Sequence, residues 1–211
     1  MSTSTPQDER PRGERIPAAL RAEQIYEAAQ DVALERGLAA VTLRAVAERA
    51  GVTSALVAHY APSMSELVAD TFRAIAGREL AEVRAHVLAV RDPVARLRTL
   101  LSTMLDGTRN DVTPVWVDAW GLGRRNAELA AAIAEEMTEW HAAIVEVLDA
   151  GIDAGVMTPA DTDLIASQVL AMIDGLNAHE VVNYARGASS LRLIGRALEL
   201  ELGLADGSLG Q

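Results

Sequence analysis

Three tryptophans, Trp116, Trp120 and Trp140, fall within 25 residues of a 211-residue chain that holds only seven aromatic side chains. Their four-residue spacing puts the first two on one face of a helix. With Met104, Asp118, His141 and Asn177 they read as a pocket lining, in which indole faces attract an organic cation or offer an apolar wall. Core filling fits each ring taken singly. A second group lies upstream: Thr42, Arg44, Thr53, Ser54, Ala55, His59 and Tyr60. It combines hydroxyls at helix starts with a guanidinium and an imidazole, groups that donate hydrogen bonds to phosphate.

Catalytic chemistry is hard to assemble from the rest. All 19 basic residues are arginine, so no lysine is available for a phosphate loop, a Schiff base or a Ser-x-x-Lys nucleophile. There is no cysteine, which excludes disulfides, thiol nucleophiles, Cys-ligated zinc and iron–sulfur clusters. His59, His86, His141 and His179 are dispersed, without His-Glu-x-x-His or Glu-x-x-His spacing. No Gly-x-Ser-x-Gly occurs, Gly121-Leu-Gly123 lacks a third glycine, and Glu135-Glu136 reads as a solvated helix face. Neither enzyme activity nor a metal or cofactor is expected.

Half the residues are hydrophobic and 39 are alanine, a composition that favours helices. The net charge is −11, against indiscriminate binding to nucleic acid or anionic membrane. Residues 1–60 carry seven arginines and eight acids, whereas residues 61–211 carry twelve and twenty-two. The acidity belongs to the second part. No apolar run approaches the roughly 20 residues of a membrane span. Residues 1–17 lack an apolar signal segment and read as a disordered arm carrying Arg10, Arg12 and Arg15 on a cytoplasmic protein.

Helical periodicity runs from Leu20 onward, and the spacing predicts an all-α chain of about nine helices. Ile25, Ala28, Ala29 and Val32 line a first helix that stops at Gly37. Thr42 caps a second, broken by Gly51, and a third spans Ser54 to Tyr60. Ser63 and Glu66 form a capping box for a long fourth helix toward Arg91. A fifth starts at Asp92-Pro93 and reaches Gly107, and a sixth starts at Pro114. A seventh runs from Asn126 to about Gly151, ended by the Gly151 and Gly155 region, an eighth from Asp161 to about Tyr184, and a ninth from Ser190 to Leu202.

If Ala47 sits where the second helix meets the third, Gly51 falls in the turn between them, where positive φ is wanted. Val46, Ala50, Val52, Val57 and Tyr60 then point inward, and Ser54, Ala55, Ala58 and His59 point outward. This is helix-turn-helix spacing, suited to a helix lying against base edges and phosphates. An ordinary helical hairpin has the same spacing. Residues 21–67 also resemble the DNA-binding domain of the TetR family of bacterial transcriptional regulators. The likeness is carried by Arg21, Ile25, Ala28, Ala29, Gly37, Thr42, Arg44, Val46, Ala47, Ala50-Gly51-Val52, His59-Tyr60 and Leu67. Leu56-Val57-Ala58-His59-Tyr60 is similar to the choline-responsive BetI-type branch, as are Trp116-Val117-Asp118-Ala119-Trp120 and Asp174-Gly175-Leu176. Two positions depart from the family pattern: Ala61 replaces a usual Phe, and Met64 a usual Lys that meets a phosphate.

The resemblance implies an N-terminal helix-turn-helix DNA-binding domain (18–66), a C-terminal helical ligand-binding and dimerisation domain (67–204) and, after it, a flexible tail (205–211). It implies a homodimer on a palindromic DNA operator, a repressor released when a small-molecule effector favours the DNA-incompetent state. Groove or phosphate contacts are then expected from Thr42, Arg44, Thr53, Ser54, Ala55, His59 and Tyr60. The effector is expected against Met104, Trp116, Trp120, Trp140, His141 and Asn177. Helices eight and nine carry more apolar residues than one inward stripe can absorb, among them Leu164, Ile173, Val182, Leu193 and Leu198, and are the expected dimer surface. The competing expectation is a helical ligand-binding or scaffolding protein whose helix-turn-helix no longer engages DNA.

Overall fold

The computed structural model describes residues 17–105, 107, 109–184 and 188–210. The expected arm with Arg10, Arg12 and Arg15 lies outside them. Nine α-helices and no strand occur among the described residues: α1 Ala18–Arg36, α2 Leu43–Ala50, α3 Ser54–Tyr60, α4 Met64–Leu88, α5 Pro93–Leu105, α6 Thr113–Gly123, α7 Ala127–Asp153, α8 Thr162–Val181 and α9 Ala188–Glu201. A single 3-10 turn, Leu38–Ala40, joins α1 to α2.

Side-chain caps set most helix starts. The Thr42, Thr53 and Ser63 hydroxyls accept from the backbone N–H of Ala45, Leu56 and Glu66, and Asn126 and Asp161 cap α7 and α8 in the same way. Several ends differ from expectation. Helix α4 stops before Arg91 because Arg96 captures the Val90 carbonyl and Asp92 caps α5, drawing the chain off the helical path. Helix α7 runs two residues past Gly151, which is buried under Met157, and the turn comes at Gly155 (φ 69°), the second of the two glycines expected to end it. Helix α8 ends short of Tyr184, whose N–H bonds back to the His179 carbonyl past left-handed Asn183.

Two cores form. The first joins Ile25, Val32, Leu38, Val46 and Val57 of the N-terminal helices to Leu67 and Phe72 of α4, Val115 and Ala119 of α6, and Leu129 of α7. The second packs α5, the later parts of α4 and α7, α8 and α9 around Leu101, Trp140, Leu148, Ile173 and Leu198. Helices α4 and α7 run side by side in the same direction, stitched by Arg73–Glu135 and Arg84–Glu146. Residues 205–210, expected to be flexible, instead fold back. Leu209 is fully buried, the Glu199 carboxylate accepts from the N–H groups of Gly207 and Leu209, and Arg98 donates to the Ser208 carbonyl.

Candidate functional site

The first site is the α2–α3 corner. Gly51 adopts the left-handed conformation (φ 64°), and its N–H and that of Val52 close onto the last turn of α2. Val46, Ala47 and Val57 are buried and lock the two helices together, whereas Ala50, Val52 and Tyr60, expected inward, are only half-buried. Thr42, Arg44, Thr53, Ser54, Ala55, Ala58 and His59 are exposed. The His59 and Tyr60 rings meet edge to face at 5.2 Å. Arg44 has no ion-pair partner among the described residues, while Arg49, one turn on, is held by Asp31 and Glu35. The corner therefore offers hydroxyls, one guanidinium and an imidazole on an exposed surface held by a buried core. Ala61 is buried, and Met64 packs its thioether into the same core.

The second site is a cavity among α4, α5, α6, α7 and α8. Met104, Trp116, Trp120, Trp140 and Asn177 line it together, as do Glu79, Arg109 and Asp174. His141 does not: it faces α8, where its ring nitrogens meet the Asp163 backbone carbonyl (3.0 Å) and carboxylate (3.9 Å). One residue past Trp140 it lies about 100° around the helix, which turns it away. Asp118 also points elsewhere, toward Gly37 at the end of α1. Trp116 packs edge to face on Phe72 at 4.8 Å and is tilted against Trp120 at 6.2 Å.

Glu79 is 4% exposed. Trp116 Nε1 donates to its Oε2 at 2.9 Å, and Arg109 lies 3.6 Å from its Oε1. Burial raises the Glu79 carboxyl above the usual range, against the pull of those two partners. Burial also pushes Asp174 up to about 6. Glu79 was legible in principle, since Phe72, Ala76, Glu79 and Val83 share one buried stripe. Arg109 lies between helices, where periodicity gives no signal. The space open to the centre of a water molecule is about 30 Å³, so the cavity is tight and a larger guest must push its walls apart.

Residues 25–71 match the family described as bacterial regulatory proteins, tetR family, and residues 93–203 match the C-terminal domain of BetI-type transcriptional repressors. The HTH-type transcriptional regulator PksA of Bacillus subtilis (strain 168) is 26% identical over 171 residues, 79% of this chain and 81% of that protein. BetI of Rhizobium meliloti (strain 1021) is 28% identical over 158 residues, 74% of this chain and 76% of that one. Among solved structures, a TetR transcription regulator from Haloarcula marismortui ATCC 43049 superposes with a TM-score of 0.76 at 21% identity, covering 87% of this chain and 99% of the other. A transcriptional regulator from Saccharomonospora viridis in complex with choline gives 0.75 at 22% identity, covering 87% and 98%. The second family match alone spans more than half of the sequence. The chain belongs to the tetR family of bacterial transcriptional regulators, with the C-terminal domain of the BetI-type repressors.

Proposed function

We propose that the protein is a homodimeric repressor whose α2–α3 corner reads an operator and whose cavity takes a small organic cation as effector. The observation that carries the DNA contact is the exposed set Arg44, Ser54, Ala55 and His59 on a corner held rigid by Val46, Val57 and left-handed Gly51. Thr42, Thr53 and Tyr60 flank it with hydroxyls of the kind that donate to phosphates. For the effector, three indole rings and the Asp174 carboxylate face one space, whereas the Arg109 charge there is engaged by Glu79 and Glu82. Aromatic faces beside a carboxylate favour a cation over a fatty or anionic guest. Choline in the Saccharomonospora viridis structure fits the same class.

The cavity abuts the DNA-binding half directly. Helix α6 presents Trp116 and Trp120 to the cavity and buries Val115 and Ala119 in the N-terminal core, so a guest that moves α6 also moves that core. A guest that prefers the displaced arrangement lowers operator affinity by its differential affinity for the two states. The test is operator binding at fixed salt, using DNA from upstream of the protein's own gene. Arg44→Ala should cost about 1–3 kcal/mol of specific binding, and His59→Ala should weaken it in the same direction. Choline and related ammonium ions should release the DNA and quench tryptophan fluorescence. Unchanged affinity in both variants overturns the corner assignment; quenching by fatty acids but not by ammonium ions overturns the effector class.

A further inference from the structure

The recognition corner is short of positive charge for a protein of net charge −11. Between Thr42 and Tyr60 the arginines are Arg44 and Arg49, and Arg49 is held by two carboxylates. The first turn of α4 adds none: Met64 packs inward, and Glu66 is hydrogen-bonded to Ser63. Two exposed arginines stand at the edge of this unit on a different part of the chain, Arg124 and Arg125 in the turn between α6 and α7. Neither has an ion-pair partner among the described residues.

That turn is built into the DNA-binding half. Asn126 Nδ2 donates to the Ser65 carbonyl at 3.2 Å, fastening the turn to the start of α4. Leu122 on one side and Leu129 on the other pack in the same core as Val46 and Val57. The Arg125 N–H closes onto the Leu122 carbonyl at 3.0 Å, so the backbone carrying both side chains is fixed. Ser65 follows Tyr60, the last residue of α3, by five positions, at most about 17 Å of extended chain. The exposed arginines are thus carried by a turn fastened to the start of α4, the helix that follows the recognition helix, with the exposed Glu128 as the acid in the following turn.

We propose that Arg124 and Arg125 contact the phosphate backbone of duplex DNA, extending the interface from the helix-turn-helix onto the ligand-binding half. The proposal rests on the DNA-binding reading above. A guanidinium fork matches a phosphate in two parallel hydrogen bonds, and such contacts position the protein without reading sequence.

The test uses the full chain, a labelled random-sequence duplex and the upstream fragment, titrated across a range of salt. Arg124→Gln with Arg125→Gln removes both charges at exposed positions; Arg124→Lys with Arg125→Lys keeps them. The Gln pair should weaken binding to both duplexes on the order of tenfold. It should flatten the slope of log affinity against log salt by about 0.9 for each phosphate no longer neutralised, roughly 2 to 4 in a twofold dimer. The Lys pair should restore the slope, and tryptophan quenching by choline should be unchanged in both. An unaltered slope in the Gln pair overturns the proposal, as does a flattened slope that the Lys pair leaves flat. Wild-type protein that binds neither duplex at low salt overturns the DNA-binding reading itself, and this proposal with it.

Discussion

At the scale of single residues, the cavity's chemistry turns on two acids in different situations. Glu79 has a tryptophan N–H and an arginine to satisfy it; Asp174 is raised to about 6 by burial, with no such partner among the described residues. A cationic guest binds the ionised carboxylate, so its affinity should fall as pH drops through about 6, and Asp174→Asn should remove that dependence, as a quenching titration between pH 5 and 8 would show. The sign for stability is opposite. A carboxyl whose folded pKa is raised favours folding below its unfolded pKa, and that advantage is lost as pH rises toward 6. Asp174→Asn should therefore raise the melting temperature at pH 7 by about 2–4 °C, the shift that ~1 kcal/mol gives a chain of this size. Trp116→Phe tests the other acid. It keeps the ring against Phe72 but takes a donor from buried Glu79, and should cost about 1–3 kcal/mol in denaturant unfolding. The tryptophans were legible because aromatic residues are so scarce here. His141 misled because nearness in sequence to Trp140 is not nearness on the helix surface. Asp174 and Arg109 were missed because a buried charge and a solvated one are the same letter.

At the scale of elements, the capping residues were the most legible part of the sequence, since a Thr, Ser, Asn or Asp before an apolar stripe acts locally. Ends decided by distant packing were not. Of the two glycines expected to end α7, Gly155 makes the turn while Gly151 is a close-packing site under Met157, and Leu209, expected in a flexible tail, is core. The glycines that bound the corner separate two physical effects. At Gly51 a Cβ would meet nothing within 4 Å, so Gly51→Ala carries only the backbone cost of φ 64°, about 1–2 kcal/mol. At Gly37 (φ 85°) a Cβ would also lie 2.6 Å from the Asp118 carboxylate. Gly37→Ala should therefore cost more than Gly51→Ala. Asp118→Ala should recover the excess but not the backbone part, which a double-mutant cycle by thermal unfolding would measure. An additive result would show that Asp118 simply moves aside.

At the scale of the whole molecule, the question is what covers α8 and α9. The sequence showed too much apolar residue for one stripe; the structure divides it. Ile165, Val169, Ile173, Ile194, Leu198 and Leu202 are buried in the chain's own core. Left outside are Leu164 (65% exposed) on α8 and Val182 (70%) just past its end, and Leu193 (56%) and Leu200 (85%) along α9. Between Leu164 and Val182 the exposed residues on the same face include Ala171 and Gly175, small enough for another helix to approach closely. Gln168 is hydrogen-bonded to Glu201 and the two helices are joined by a short connection that turns the chain back, so two turns on in α8 and two turns back in α9 bring Gly175 level with Ile194. A twofold copy can cover both outward stripes with the same two stripes of its own. Such a dimer would hold its two α3 helices at one fixed separation, which reading a palindromic site requires. The expected mass in sedimentation is thus twice 22.4 kDa. Variants must respect the division. Ile173→Asp and Leu198→Asp bury a charge in the chain's own core and should unfold it. Ala171→Asp with Leu193→Asp changes only the outward stripes, and should give a folded monomer that retains its helical circular dichroism and loses tight operator binding. A double variant that stays dimeric places the subunit contact elsewhere on the molecule. A wild-type protein that sediments as a monomer at micromolar concentration leaves the stripes to some other partner and removes the geometric basis for palindrome reading.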